Sequence, residues 1–545
     1  MRHRKAFQCK VQLTGLSNAC RRHAITLVGC DDPIVPQTVT ETTASFDPAT
    51  GILTSVSRTD GGTPLTVRSL HGIMLDQTSL DGMRTMSYDA LGRNVVIAHV
   101  DASGVTNRID SMEYDQSGNA VRRTSDLQDG RTVEALSEYD MLNREIGQTD
   151  ALGHVTETGY DALGRMVSVG GDAYPLKTGY DTQGRKTGSR TTRDGGATWD
   201  ETQWEYDPAS GVNTGKSYAD GSQIAYAYTD NGKKTRTTWA RGAWKENAYN
   251  ARNLVSGSTY SEAGTPSVAY TYEDSGKVAS ATLSDGTTYT YGYDDRLLNT
   301  NESVAVGGEV FAVARTYDGF RRELETVVIV TNVRHAAKTR LYDSENRVCG
   351  YAITNAAGRG VSVSLVYDGS YVTNMTYALP GGGLFSAKLS RESGRKELVA
   401  RRDYAFGGQS SYWYSTGYDL LSRPTNATDS VSLAREWLYN RRSELAAANI
   451  GTNYYGYAYD TIGNRLWSAE NAATNTYAAN NLNQYSSILC ISAPPREPIY
   501  DTDGDAPHGG RLSSFGFGGN PHLWYNTPHR RKTEAFFCNH QPTDT

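Results

Sequence analysis

Cysteine and phenylalanine are scarce in this 545-residue chain, with 6 and 10 copies. Cys9, Cys20 and Cys30 lie near the start, Cys349 and Cys490 are isolated, and Cys538 is near the end. No CxxC pair occurs, which excludes zinc-ribbon and thioredoxin-type motifs, and the spacing is too sparse for a disulfide framework. The cysteines read as free thiols. No stretch of about 18 apolar residues occurs, so no transmembrane helix is expected, and the mean hydropathy is −0.56. Charge of one sign is also lacking: 54 Lys and Arg against 60 Asp and Glu leave −6, spread along the chain. A nucleic-acid partner would need a basic face, so none is expected. Proline, at 16, is too sparse for a disordered Pro-rich chain.

The amino terminus lacks a clear signal peptide. Arg2, Arg4 and Lys5 open it, but Arg21, Arg22 and His23 interrupt any apolar core. Leu27-Val28-Gly29-Cys30 resembles a lipoprotein cleavage box, yet the apolar stretch before it, from Ala24, is too short.

Tyrosine and glycine are plentiful, 36 and 55 copies. Together they point to strands joined by tight turns. They recur as Tyr-Asp-x-x-Gly-Arg: Tyr88, Asp89, Gly92 and Arg93; Tyr160, Asp161, Gly164 and Arg165; Tyr180, Asp181, Gly184 and Arg185. Near copies begin at Tyr114, Tyr139, Tyr272, Tyr342 and Tyr418-Asp419. Looser ones begin at Tyr206, Tyr228, Tyr249, Tyr293, Tyr317, Tyr367, Tyr439, Tyr459-Asp460 and Tyr500. From Tyr88 to Tyr367 the step is 20–26 residues. Ser390-Arg-Glu-Ser-Gly-Arg395 reads as a copy without its Tyr, and Phe46-Asp-Pro-Ala-Thr-Gly51 matches Tyr206-Asp-Pro-Ala-Ser-Gly211.

The motif is a hairpin signature. Asp favours the first position of a type I turn, because its side chain accepts a backbone N–H two residues on. Gly supplies the positive φ of the turn-plus-bulge hairpin, and Arg starts the return strand. Tyr ends the incoming strand, often with a second Tyr two residues earlier, as in Tyr226 and Tyr228, so both rings share a face. Arg can then lie over a ring or pair with Asp. A period of 20–26 residues suits two strands and two turns. One hairpin is barely stable alone, so the expected fold is all-β: tandem hairpins in a continuous, twisting sheet.

These motifs resemble the YD-repeat, or RHS, family: bacterial RHS proteins, wall-associated proteins and the animal teneurins. The resemblance covers about four fifths of the chain. Asn475-Thr-Tyr-Ala-Ala-Asn-Asn-Leu-Asn-Gln-Tyr485 adds a local match to the late repeats of bacterial members. It implies a spiralling sheet that forms a hollow or partial β-shell. In polymorphic toxins the shell encloses a C-terminal toxin; in teneurins it supports adhesion. The implied role is a structural scaffold that is not an enzyme, with an encapsulated polypeptide or toxin segment as partner and a secreted or cell-surface location. Adhesion or carbohydrate binding is the alternative.

The expected division is a segment 1–40 outside the pattern, a repeat array over 41–505 and a tail 506–545. Asp-Pro occurs at Asp32, Asp47 and Asp207, never followed by x-Gly, so the Asp-Pro-x-Gly core linked to self-cleavage in the family is missing. Tyr is absent before Val35, and four of the ten His fall after Asp505. Both ends predict a truncated or frame-disrupted product with non-native tails.

No catalytic, cofactor or metal residue is assigned. A glycosidase needs one carboxylate pair in one cleft, whereas here the same Asp recurs in copy after copy and reads as a turn former. Asp501-Thr-Asp503-Gly-Asp505 could offer oxygens to calcium, but Ala506 stands where the EF-hand loop needs Gly. His522, His529, Cys538 and His540 fit no ligand spacing. Trp199, Trp204, Trp239 and Trp244 cluster within a few repeats and carry the carbohydrate alternative; the competing reading packs them against neighbouring strands.

Overall fold

A computed structural model describes residues 40–59 and 62–490. Cys9, Cys20, Cys30 and Cys538, the acidic run at Asp501, the late histidines and both predicted tails lie outside the described residues. Forty strands of one sheet run from Thr40–Asp47 to Tyr485–Cys490, and the described residues include no helix. Wherever a register is defined, each strand lies antiparallel beside its chain neighbour. The expected all-β class and hairpin repeat are both present.

Period-two alternation is clear in individual strands. In Gln223–Tyr228 the residues alternate exposed and half-buried, with Ile224, Tyr226 and Tyr228 on the covered side. Little is fully buried. The apolar core among the described residues consists mainly of alanines (Ala281, Ala337, Ala387, Ala427, Ala447 and Ala448), with Leu127 and Val363. The sheet is therefore held less by a packed interior than by its ladder and turns, which is how a repeat array gains stability from nearest neighbours.

By packing, the described chain divides into two units: residues 40–158 with 247–437, and 159–246 with 438–490. Each unit thus joins two stretches far apart in sequence.

Candidate functional site

The motif turn is built the same way at copy after copy. At Asp89 the backbone closes through Asp89 N to Arg93 O and Gly92 N to Asp89 O, each 3.0 Å. The carboxylate is shared: Oδ1 accepts the Leu91 and Arg93 amides (2.9 Å each), and Oδ2 accepts Arg93 Nε (2.7 Å). Asp161 with Arg165, Asp181 with Arg185 and Asp419 with Arg423 repeat this pattern. At Asp460 the amide of Asn464 donates to Oδ1 and its side chain to Oδ2 (2.8 Å each). The Arg93 amide, and then the Arg93 guanidinium, hold the Asp89 carboxyl below its ordinary range against a desolvation cost, and Asp161 is held likewise by Arg165. Gly92, Gly164 and Gly184 take φ of 75°, 81° and 82°. A Cβ at Gly92 or Gly164 would meet nothing within 4 Å, so backbone conformation sets the preference there, not crowding. The register slips by one residue immediately before Tyr88, Tyr180, Tyr418 and Tyr459, placing a bulge beside each turn.

Successive copies are tied by three further contacts. The Tyr hydroxyl donates to a carbonyl at or next to the start of a strand in the preceding repeat: Tyr88 to Met74, Tyr114 to Asn94, Tyr180 to Met166, Tyr418 to Val399 and Tyr459 to Leu445, at 2.6–3.1 Å. The Arg guanidinium lies over the next Tyr ring, Arg93 over Tyr114 at 4.6 Å, Arg165 over Tyr180 at 4.8 Å and Arg185 over Tyr206 at 4.5 Å. Arg93 and Arg165 also reach the backbone carbonyl of the next motif Asp (3.2 and 2.9 Å). One side chain therefore closes its own turn and grips the following one.

Sequence reading missed two features. The same turn occurs at many alternate hairpins that lack Tyr: Asp101 with Val105, Asp150 with His154 and Asn355 with Arg359. Asp150-Ala-Leu-Gly-His154 carried the signal, being Asp-Ala-Leu-Gly-Arg with a changed last residue. The second is a register correction. At 390–395 the Tyr place belongs to Arg391, not Ser390, and Glu392 stands for Asp. Arg391 donates to the Val372 carbonyl (Nη2, 3.2 Å) and covers the Tyr371 ring, as a motif Tyr would serve its neighbour. The turn closes from Glu392 N to Leu398 O, two residues longer than usual.

That lengthened turn belongs to a seam. Within the first unit, Glu392 pairs with Arg131 at 3.2 Å and with the buried Arg395 at 2.6 Å. Arg395 donates on to the Asp419 carbonyl at 2.6 Å. A Cβ at Gly394 would lie 2.9 Å from the carbonyl oxygen of the buried Leu127, so the close approach requires glycine. Thr63 donates its amide and hydroxyl to Glu345 (2.8 and 2.7 Å), and Ser370 does the same to Asp81 (2.6 and 2.9 Å). Within the second unit, Tyr174 donates to Glu444 (2.9 Å), Arg441 pairs with Asp172 (2.7 Å) and Arg193 donates to the Ala479 carbonyl (2.6 Å). Burial, then the Glu444 carboxylate, pushes the Tyr174 phenol up to about 12. These hydrogen-bonded partners stand 261–289 residues apart in the first unit and 269–286 in the second. No local motif announces them.

The tryptophans are half-buried, and three are covered by cations of the same sheet: Lys177 over Trp199 (4.3 Å), Lys186 over Trp204 (4.7 Å) and Arg236 over Trp244 (4.4 Å).

A family model described as RHS Repeat matches residues 139–173, a window that contains Tyr160-Asp-Ala-Leu-Gly-Arg165. The chain carries an RHS repeat. Its fold is shared with the crystal structure of TcdB2-TccC3-TEV, at 12% identity over 83% of this chain and 28% of that one, with a TM-score of 0.53. TcdB2-TccC3 matches at 11% identity over 85% and 31%, and the form without its hypervariable C-terminal region at 13% over 79% and 28%, both with a TM-score of 0.50. The chain thus spans under a third of those structures, and at such identities the likeness is one of fold. No curated protein matches the sequence.

Proposed function

We propose that this RHS-repeat chain is a structural wall that encloses or displays an associated, toxin-like polypeptide and is not itself an enzyme. The seam carries the reading. In both units, turns some 270 residues apart are fastened by side chains of complementary chemistry, so the sheet is built to lie against itself. The motif residues support it. Tyr88, Asp89, Gly92, Arg93 and their counterparts act as fasteners, and the motif carboxylates serve backbone amides instead of standing as an acid–base pair. On the family resemblance, the protein is bacterial and works secreted or at the cell surface. The repeat array extends over 41–505. One of the fold relatives is named for lacking a hypervariable C-terminal region, and a segment of that kind is what such a wall would surround. Carbohydrate binding gains no support from tryptophans whose faces are already covered.

A protease-sensitive reporter joined after Thr545 tests enclosure. Survival of the reporter for as long as the strands themselves is expected. Cleavage at the rate of the free peptide rejects enclosure.

A further inference from the structure

Five successive strands of the second unit carry an alternation outside the motif. Lys186 lies on Lys186–Thr191, Trp204 on Asp200–Tyr206, Lys216 on Asn213–Ser217, Tyr226 on Gln223–Tyr228 and Lys234 on Lys234–Thr238. The register sets them on one face. Trp204 stands opposite Lys216, and Lys216 opposite Ile224, which shares its face with Tyr226. Lys186 and Lys234 each sit at a bulge and lean onto the neighbouring ring, Lys186 at 4.7 Å from Trp204 and Lys234 at 3.6 Å from Tyr226. Lys216 lies 5.7 Å from Trp204 and 4.4 Å from Tyr218.

Two of its lysines, Lys186 and Lys216, lack counter-charge among the described residues. On these five strands Glu201 and Glu205 alternate to the other side, where Glu201 pairs with Arg190 (3.0 Å). Asp200 shares the face but is paired with Arg193 (3.0 Å). Among the described residues, Lys186 and Lys216 have no carboxylate partner, and the Trp204 indole N–H and the Tyr218 and Tyr226 hydroxyls make no hydrogen bond. Lys186 and Lys216 are therefore cations without a carboxylate, set beside N–H and O–H groups without an acceptor.

We infer that this strip is a docking surface for an extended acidic polypeptide. Lysines on alternate strands stand about 10 Å apart, twice the strand spacing, and a polyproline-II-like extended chain presents every third side chain on one side at about 9 Å. Sugars and nucleobases would need open ring faces to stack on, and the Trp204 ring has lysine ammoniums beside it from both neighbouring strands. Carboxylates need only the ammonium groups and ring-edge donors that remain. The inference does not rest on the scaffold reading: a wall with nothing inside could still carry this strip, and seam substitutions leave its residues in place.

The test is anisotropy of a fluorescein-labelled oligoglutamate of about eight residues, long enough to span the roughly 19 Å from Lys186 to Lys234, titrated with the full chain. Binding is expected, with loss in about 0.5 M NaCl. The double variant Lys186→Gln, Lys216→Gln should bind about tenfold more weakly, and Lys186→Arg, Lys216→Arg should retain binding, which separates charge loss from misfolding. Lys177→Gln removes an equivalent Lys–Trp contact from the opposite face and should leave binding unchanged. No binding by the unaltered chain, equal binding by the double Gln variant, or an equal loss in Lys177→Gln would overturn the assignment. So would tighter binding of polygalacturonate or oligo-dT through the same lysines.

Discussion

The turns at Asp89–Arg93 and Glu392–Leu398 close neighbouring strands in the same manner with different residues. In the first, a short acid accepts two amides and an Arg within its own turn, and an Arg and a Tyr serve the adjacent repeats. In the second, Arg391 replaces Tyr, and Glu392, one methylene longer, turns outward to Arg131, 261 residues away. Arg395 keeps the motif Arg's grip on the next turn through the Asp419 carbonyl but is 4% exposed. The motif thus degenerates at this turn, which is recruited to a long-range contact, whereas the Asp343–Arg347 turn keeps its pair while Glu345 receives Thr63. Departure from the consensus marks specialisation there, not decay.

Acid acts on turns of the first kind, and its effect is the largest because it reaches several of them together. The Asp89, Asp140, Asp161 and Asp343 carboxyls are held below the usual 3.8. For Asp140 the Arg144 guanidinium is the main cause. For Asp89 and Asp161 it is the amide of the motif Arg, and for Asp343 the Arg347 side chain and amide outweigh the cost of desolvation. A folded pKa below the unfolded one stabilises above about pH 4 and loses that contribution as pH falls through the folded value. Hydrogen exchange along a descending pH series should show these four turns opening in that window and unchanged protection above it, once the intrinsic rate is corrected.

Arg395→Ala comes next. It leaves Glu392 largely buried with one partner fewer, for a loss of about 3 kcal/mol in the local opening free energy around residues 384–406. Arg93→Ala, on a more open pair, should cost about 1 kcal/mol. Equal costs by native-state hydrogen exchange would erase the distinction drawn between the two turns.

Tyr114→Phe keeps the ring under Arg93 and removes the hydroxyl that donates to the Asn94 carbonyl and lies 3.7 Å from Met112 Sδ, so about 1 kcal/mol of local stability should go. The smallest effect has the opposite sign. Leu297 stands in the glycine place of its turn with φ 61°, and Leu297→Gly should raise local stability by up to about 1 kcal/mol.

The hairpins were legible because each is encoded within about six residues: Asp89 and Gly92 act on their own turn, and Tyr114 reaches one repeat back. The register at 390–395 was misread because Gly394 and Arg395 sit at motif spacing, while the two extra residues before Val399 become apparent only from strand pairing. The seam was hidden for a different reason. Glu345, Asp81 and Glu444 look like any turn acid, and their partners lie hundreds of residues away. The lysine–aromatic strip was half visible, as a tryptophan cluster, but its face depends on bulges that shift Lys186 and Lys234 across the pleat.

Hydrogen exchange at the Thr63 amide tests the seam most directly, because its carboxylate acceptor lies 282 residues along the chain. Comparison of the intact chain with Glu345→Ala should show a protected Thr63 that becomes fast in the variant, while the amides of Thr40–Asp47 and Ile52–Thr59 keep their rates. Equal exchange at Thr63 in the two proteins would contradict a sheet fastened to itself through its turns.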